Sequence, residues 1–292
     1  MMKLVTFTHR GATRIGAVVA DGVVDFSAHS RDLPGDMLTF LEQGQPALDQ
    51  ARQACASGRG RVALAEVQLE APIRRPPKIL AVGLNYRDHI EETGRPVPEV
   101  PMIFNKQSTA VTGPGGAIYR PPDSLQLDYE GELGFVIGKR CRRVPKEKAA
   151  TVIAGYTIVN DVSVRDWQMR SATTTMGKSW DTHCPLGPYI VTTDEVPEPH
   201  GLELRTWVNG ELRQHSNTRQ LIFNCFDIVA HLSTVFTLEP GDVVATGTPS
   251  GVILGMDPKI WLKPGDVVRI AIDQLGVLEN PVVDEPDSTV QY

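Results

Sequence analysis

Glu130 and Glu132 stand two residues apart in Leu127-Asp128-Tyr129-Glu130-Gly131-Glu132-Leu133, and Asp161 closes the run Ile158-Val159-Asn160-Asp161. Side chains at i and i+2 of a strand share a face, so the two glutamates lie side by side. Adjacent carboxylates repel and are costly to bury unless a positive charge joins them. A divalent cation meets that demand. Three carboxylates with open positions suit Mg²⁺ or Mn²⁺, with Ca²⁺ also compatible. The competing reading of Glu-x-Glu alone is a solvated strand edge with scattered acids.

Four further clusters bear on chemistry. In Asn85-Tyr86-Arg87-Asp88-His89-Ile90-Glu91-Glu92, His89 and Glu92 share one face of a helical turn. A carboxylate beside an imidazole orients it and raises its basicity, which makes a general base for water. The alternative is an exposed polar helix with an incidental pair. The proline-rich stretch 91–101 that follows reads as a loop, either a lid over substrate or ordinary surface. In Asn160–Gln168 a strand ends at Asp161 and a helix is expected from near Ser163, with Arg165-Asp166 read as a local salt bridge holding the turn. Gly177-Lys178-Ser179 resembles a phosphate loop, but Ala172 stands where that motif needs glycine, so a nucleotide site is rejected. Beside a metal, Lys178 would anchor a substrate carboxylate or a developing oxyanion. Ala245-Thr246-Gly247-Thr248-Pro249-Ser250-Gly251 follows a strand, and its backbone N–H groups either hold an anion or close a tight turn.

The elements that must position these residues are mostly strands. Residues 2–28 read as a small meander with a hairpin at Asp21-Gly22. Two helical pieces separated by Pro46 cover 36–56, and Pro72–Pro77 reads as an extended linker. This predicts a small N-terminal α/β unit at 1–72, packed as an appendage on a larger unit at 78–292. The larger unit carries the short apolar strand Ile79–Val82 and a short helix from Pro145. It also has a hairpin at Asn209-Gly210, a helix over Leu221–Leu238, and two Pro-Gly-Asp-Val-Val turns, each launching a strand. Many strands, few helices and no β-α-β alternation predict an α+β, mainly β fold.

Bulk properties narrow the function. The 292 residues permit one large domain or two, and a net charge of −6 leaves no basic footprint for nucleic acid. No apolar run approaches the about 20 residues needed to cross a bilayer, and the first ten residues have too short an apolar core for a signal peptide. Cys55, Cys141, Cys184 and Cys225 are widely spaced and read as free thiols, which points to the cytoplasm. A nucleophilic Cys184 is the minor alternative.

In this order, the motifs from Gly83-Leu84-Asn85-Tyr86 through Glu130-Gly131-Glu132, Asn160-Asp161, Gly177-Lys178-Ser179-Trp180-Asp181 and Thr246-Gly247-Thr248-Pro249 resemble the fumarylacetoacetate hydrolase family, its bacterial acylpyruvate hydrolases in particular. The resemblance covers residue 78 to the C-terminus and is weak over 1–72. It implies a mixed β-roll catalytic domain and a homodimer. It also implies Mg²⁺ or Mn²⁺ held by Glu130, Glu132 and Asp161, with His89 and Glu92 on a lid. The expected substrate is an acylpyruvate or related 2,4-dioxo acid, cleaved to pyruvate and a carboxylic acid. In that reading Glu92 polarises His89, His89 activates water, and Lys178 faces the enolate. Gln168 hydrogen-bonds the oxyanion, Thr248 and the Gly247 amide bind the pyruvyl carboxylate, and Arg87 contacts substrate. Asp128 braces the site. The distal pocket is left to Arg87, Met102, Phe104, Trp167, Met169 and His183, which read equally as packing residues. The same scaffold admits oxaloacetate-type decarboxylation, isomerisation or hydration. A non-catalytic binding protein is the alternative of a different class.

Overall fold

The computed structural model describes residues 2–30 and 32–287. The outermost residues of the two expected units, Met1 and 288–292, lie outside the described residues.

The N-terminal meander forms as expected, with antiparallel β1 (Lys3–His9), β2 (Ala12–Val19) and β3 (Gly22–Asp25). Helix α1 (Met37–Gln43) starts at Asp36, whose carboxylate accepts the Thr39 N–H, and α2 (Gln45–Ser57) carries Pro46 in its first turn. The break falls at Gly44, whose φ of 61° suits glycine. Strands β4 (Arg61–Ala63) and β5 (Gln68–Glu70) return to pair with β3 and β1.

The chain continues with β6 (Ile79–Gly83), α3 (Arg87–Thr93) and β7 (Met102–Lys106). The short β8 (Val111–Thr112), β9 (Ile118–Arg120) and β10 (Leu127–Asp128) lead to the long β11 (Gly131–Ile137) and β12 (Ile153–Asn160). Then come β13 (Ser163–Val164), the one-turn helices α4 (Arg165–Gln168) and α5 (Thr175–Lys178), and β14 (Cys184–Thr192). The hairpin β15 (Glu203–Val208) and β16 (Glu211–Asn217), helix α6 (Cys225–Val235) and β17 (Val243–Ala245) precede the closing hairpin β18 (Val267–Ile272) and β19 (Gly276–Asp284).

Several boundaries differ from the sequence expectation. Pro46, expected to separate the two N-terminal helices, sits inside the first turn of α2, and Gly44 separates them. The helix expected from Leu221 starts at Cys225, because Asn224 and Asp227 form a reciprocal capping box. Residues 222 and 223 are instead tied to Asn85, with Ile222 N to Asn85 O at 2.8 Å and Phe223 N to Asn85 Oδ1 at 2.8 Å. The helix expected near Ser163 starts at Arg165, since Ser163 and Val164 pair antiparallel with Asp128 and Leu127.

The main sheet runs β4-β3-β2-β1-β14-β12-β11-β17-β6-β7, and a second sheet runs β16-β15-β18-β19-β9. The architecture is α+β, mainly β. The β1–β14 pairing joins the N-terminal strands to the rest of the main sheet. Both faces of its centre are buried. Along β11, Leu133, Phe135 and Ile137 join one core, shared with α6 and the second sheet. Val136 joins the other, shared with α1 and α2. Along β6, Leu80 and Val82 go to the first core and Ile79 and Ala81 to the second. Burial on both faces is why these strands read as unbroken apolar runs. Among the described residues no helix is long and apolar enough to cross a membrane, and the four cysteines are free.

Candidate active site

The three acids gather at one end of the β11–β12 pair. Gly131 sits opposite Asn160 and Glu132 opposite Val159, so the register continues to Glu130 opposite Asp161. The Asp161 N–H donates to Glu130 O at 2.9 Å. Glu130, Glu132 and Asp161 are buried, and each offers an oxygen within 4.8 Å of the others. They share the sheet face of Val136 and Val159.

Buried cations surround them. Lys178 Nζ lies 2.6 Å from Glu130 Oε2 and 2.8 Å from Asp161 Oδ2. Lys106 Nζ lies 2.6 Å from the other Asp161 oxygen. Arg165 Nη2 spans Glu130 Oε1 and Asp128 Oδ2, both at 2.7 Å. Burial pushes the Glu130 carboxyl up, but Lys178 and then Arg165 outweigh it and bring the pKa down to about 2. Among the described residues no cation is bonded to Glu132. Burial first, then Asp161 and Glu130, push its carboxyl well above the ordinary range, and the Gly247 N–H at 2.7 Å offsets only part of this. Burial opposes the Lys178 ammonium, yet Asp161 and Glu130 raise its pKa. Asp128, Glu130, Glu132 and Asp161 against Lys106, Arg165 and Lys178 leave one more acid than cation. An all-oxygen donor set with this surplus fits a hard divalent ion.

Local structure explains Lys178. A Cβ on Gly177 would fall 2.3 Å from the Gln168 backbone N. Glycine therefore lets α5 close against α4, bringing Lys178 to the acids beside Arg165. The expected Arg165-Asp166 salt bridge does not form. Arg165 turns inward to Asp128 and Glu130, while Asp166 accepts from the Ser124 hydroxyl at 2.6 Å. The buried acids draw the guanidinium away from its half-buried neighbour.

His89 and Glu92 share a face of α3, with Nδ1 to Oε2 at 2.9 Å. A carboxylate only accepts, so Nδ1 donates to Glu92, which in the neutral ring leaves the lone pair on Nε2. The Gly251 N–H fixes the second Glu92 oxygen at 2.8 Å. The stretch expected to be loop from Glu91 begins later, since α3 runs to Thr93. Asn85 braces this helix, its amide donating to Phe223 O at 2.9 Å and Thr246 O at 2.8 Å.

A cavity of about 390 Å³ is lined by His89, Glu130, Glu132, Arg165, Gln168, Lys178 and Thr248, and also by Met102, Phe104 and Met169. Gln168 accepts from Arg165 Nη1 at 2.9 Å. Thr248 donates to Gly131 O at 3.0 Å and accepts from Gln214 at 2.8 Å. Gly247 does not line the cavity, and its N–H is given to Glu132. Arg87 is exposed on α3 and also lies outside the lining. Trp167 and His183 line a separate cavity of about 490 Å³. Cys184 lines neither cavity, and burial pushes its thiol up to about 12, which suits packing rather than attack.

The sequence reading missed Lys106 and undervalued Arg165. Lys106 had a signal: it lies two residues beyond Phe104 on a strand, so the two share a face, and a Lys ending an apolar strand near buried acids is a pairing candidate. Asp128 was its own clue to Arg165. It accepts Arg165 Nε at 2.8 Å, Ile253 N at 2.9 Å and Leu254 N at 3.0 Å, so it is a brace saturated by donors.

Comparison with known proteins agrees with this geometry. Residues 78–283 match the model of the fumarylacetoacetate (FAA) hydrolase C-terminal domain. The chain is 44% identical over 288 residues to the mitochondrial oxaloacetate tautomerase fahd2 of Xenopus laevis, covering 97% of this chain and 90% of that protein. It is similar to the solved fumarylacetoacetate hydrolase of psychrophilic Exiguobacterium antarcticum, with a TM-score of 0.86 and 36% identity over 98% of this chain and 100% of that one. It is also similar to maleylpyruvate hydrolase of Sphingobium sp. SYK-6, solved with manganese(II) and pyruvate, with a TM-score of 0.82 and 34% identity over 98% and 100% of the two chains. The chain belongs to the fumarylacetoacetate hydrolase family of enzymes.

Proposed function

We propose that this chain is a divalent-metal-dependent enzyme of short 2-oxo acids, and that its reaction is the keto–enol interconversion of oxaloacetate. The observation that carries the reading is the one cavity lined by Glu130, Glu132, Lys178 and His89, with Asp161 bonded to Lys178 and Glu92 to His89 behind that lining. Glu130, Glu132 and Asp161 would hold Mg²⁺ or Mn²⁺. Such an ion supplies Lewis-acid polarisation of a 2-oxo group. His89 Nε2 removes the proton from carbon 3, and Glu92 stabilises the imidazolium that forms. Lys178 faces the negative charge on the 2-oxygen. One proton leaves carbon and one adds to oxygen, so no other reactant is consumed. Similarity to an oxaloacetate tautomerase along nearly the whole chain supports this choice over the C–C cleavage expected from sequence.

Cleavage of acylpyruvates is the second reading, supported by the likeness to maleylpyruvate hydrolase. There His89 would take a proton from water instead, and the hydroxide would attack the 4-carbonyl. The C3–C4 pair would stay on the pyruvate enolate. Decay of enol-oxaloacetate followed by ultraviolet absorbance, beside pyruvate release from acetylpyruvate, separates the two. The tautomerase reading predicts acceleration of the first with Mn²⁺ or Mg²⁺, and its loss in excess chelator and in Glu132→Gln. Undiminished activity in chelator sinks it, and pyruvate release without tautomerisation selects the hydrolase. The expected homodimer belongs to the same proposal and is checked by light scattering.

A further inference from the structure

Arg95 follows Gly94, which ends α3 in a left-handed conformation (φ 63°) and turns the chain back. Arg95 lines the same cavity as His89 and Thr93. Among the described residues three cationic side chains line that cavity: Arg95, Arg165 and Lys178. Arg165 is held by Asp128 and Glu130, and Lys178 by Glu130 and Asp161. Among the described residues Arg95 has no carboxylate partner. It is exposed, so it keeps its hydration until a ligand arrives. Thr174 belongs to the same lining, with its hydroxyl oxygen buried behind the surface. Met102, Phe104, Met169 and Leu254 make much of the remaining wall apolar.

We infer that Arg95 binds the distal carboxylate of the substrate and so makes the cavity selective for dicarboxylic over monocarboxylic 2-oxo acids. This rests on the 2-oxo acid reading above. The cluster end of the cavity takes the 2-oxo acid group. A second carboxylate placed against the apolar wall would lose its hydration uncompensated. The unpaired guanidinium supplies a planar fork of two N–H donors that matches a carboxylate. The cavity volume of about 390 Å³ lies within the range of small-ligand sites.

The test uses the Mn²⁺-loaded full chain and the variants Arg95→Met and Arg95→Lys. Kinetics on oxaloacetate are read beside carbon-3 deuterium exchange of 2-oxobutyrate, which has a methyl group in place of the distal carboxylate. Calorimetry compares malate with 2-hydroxybutyrate, two stable counterparts, and titrates Mn²⁺. Arg95→Met is expected to raise KM for oxaloacetate and Kd for malate about 10- to 100-fold, the loss of a charge-assisted pair. It should hold kcat within about twofold and leave 2-oxobutyrate, 2-hydroxybutyrate and Mn²⁺ unaffected, since the lost contact is uniform binding. Arg95→Lys should recover only part, because an ammonium lacks the fork. Malate binding within about twofold of wild type in Arg95→Met, or a wild type that does not prefer malate over 2-hydroxybutyrate, overturns the assignment. If no 2-oxo acid turns over but an Arg95-dependent preference for malate persists, the proposed reaction fails and the Arg95 site stands.

Discussion

One face of one sheet carries two very different surfaces. Under α1 and α2 it is apolar, where Val136, Val159, Ala81 and Ala245 pack with Phe26, Phe40 and Ala51. At the end of β11 and β12 the same face presents Glu132, Glu130 and Asp161, equally buried, with Lys106 and Lys178 against them. The strand geometry is identical in the two regions, so the difference is one of accounting for charge. The apolar part is stabilised by area removed from water and tolerates swaps of similar volume. The charged part holds only while each buried group keeps its partners. A site proposed to take a cation and a substrate therefore sits beside an apolar core.

Asp161→Ala should break the charged region most. It strips both Lys106 and Lys178 of a buried partner, and such a loss costs about 3–5 kcal/mol. Mn²⁺ binding and activity should vanish together. Phe40→Ala, in the ring stack with Phe26 at 5.5 Å, should cost about the same, roughly 3–5 kcal/mol. Its folded fraction should keep wild-type Mn²⁺ affinity. Chemical denaturation beside metal titration reads both; a matching loss of metal affinity in Phe40→Ala would mean that the two regions are not separable.

His89→Ala should lower turnover about 10²- to 10⁴-fold and leave Mn²⁺ affinity unchanged. Metal loss with that substitution would show that the base and the carboxylate cluster are one structural unit. Lys106→Met removes a buried ammonium and leaves the acids with a larger surplus. The metal-free protein should melt lower than wild type, and added Mn²⁺ should raise its Tm by more than it raises that of wild type. Equal Tm gains would assign Lys106 to packing.

The smallest effect expected is one of pH. His183 is fully buried, and its Nε2–H donates to Tyr119 O at 2.6 Å. Burial lowers its pKa to about 3, from an ordinary value of 6.5. The unfolded chain takes up this proton below about pH 6.5 and the folded chain does not until about pH 3, so stability falls as pH drops through that window. Glu130, held down to about 2, loses its contribution only between about pH 4.5 and 2. Denaturation midpoints from pH 7 to 5 should therefore fall in wild type and stay flatter in His183→Gln. An unchanged slope would remove His183 as the cause.

Legibility followed sequence distance. The Asn209-Gly210 hairpin was readable because both residues take positive φ, 52° and 81°, as such a turn demands. The His89–Glu92 pair was readable because one helical turn fixes it. The start of α6 was less so, since the apolar stripe began at Leu221 while the cap at Asn224 set the boundary. Arg165 misled because its nearest acid in sequence, Asp166, is not its partner in space.

The sequence by itself determined the periodicities: which of Glu130, Gly131 and Glu132 share a face, which turns reverse, and which residues a helical turn brings together. These depend on backbone geometry over a few residues. Only the tertiary structure decided the partners. Lys106 meets Asp161 across 55 residues because β6, β7 and β17 join β11 and β12 in one sheet. Gly247 gives its N–H to Glu132, and Arg95 rather than Arg87 reaches the cavity. Such pairings are fixed by which strands become neighbours and by the cost of leaving a buried charge alone, and neither is a property of any short stretch of chain.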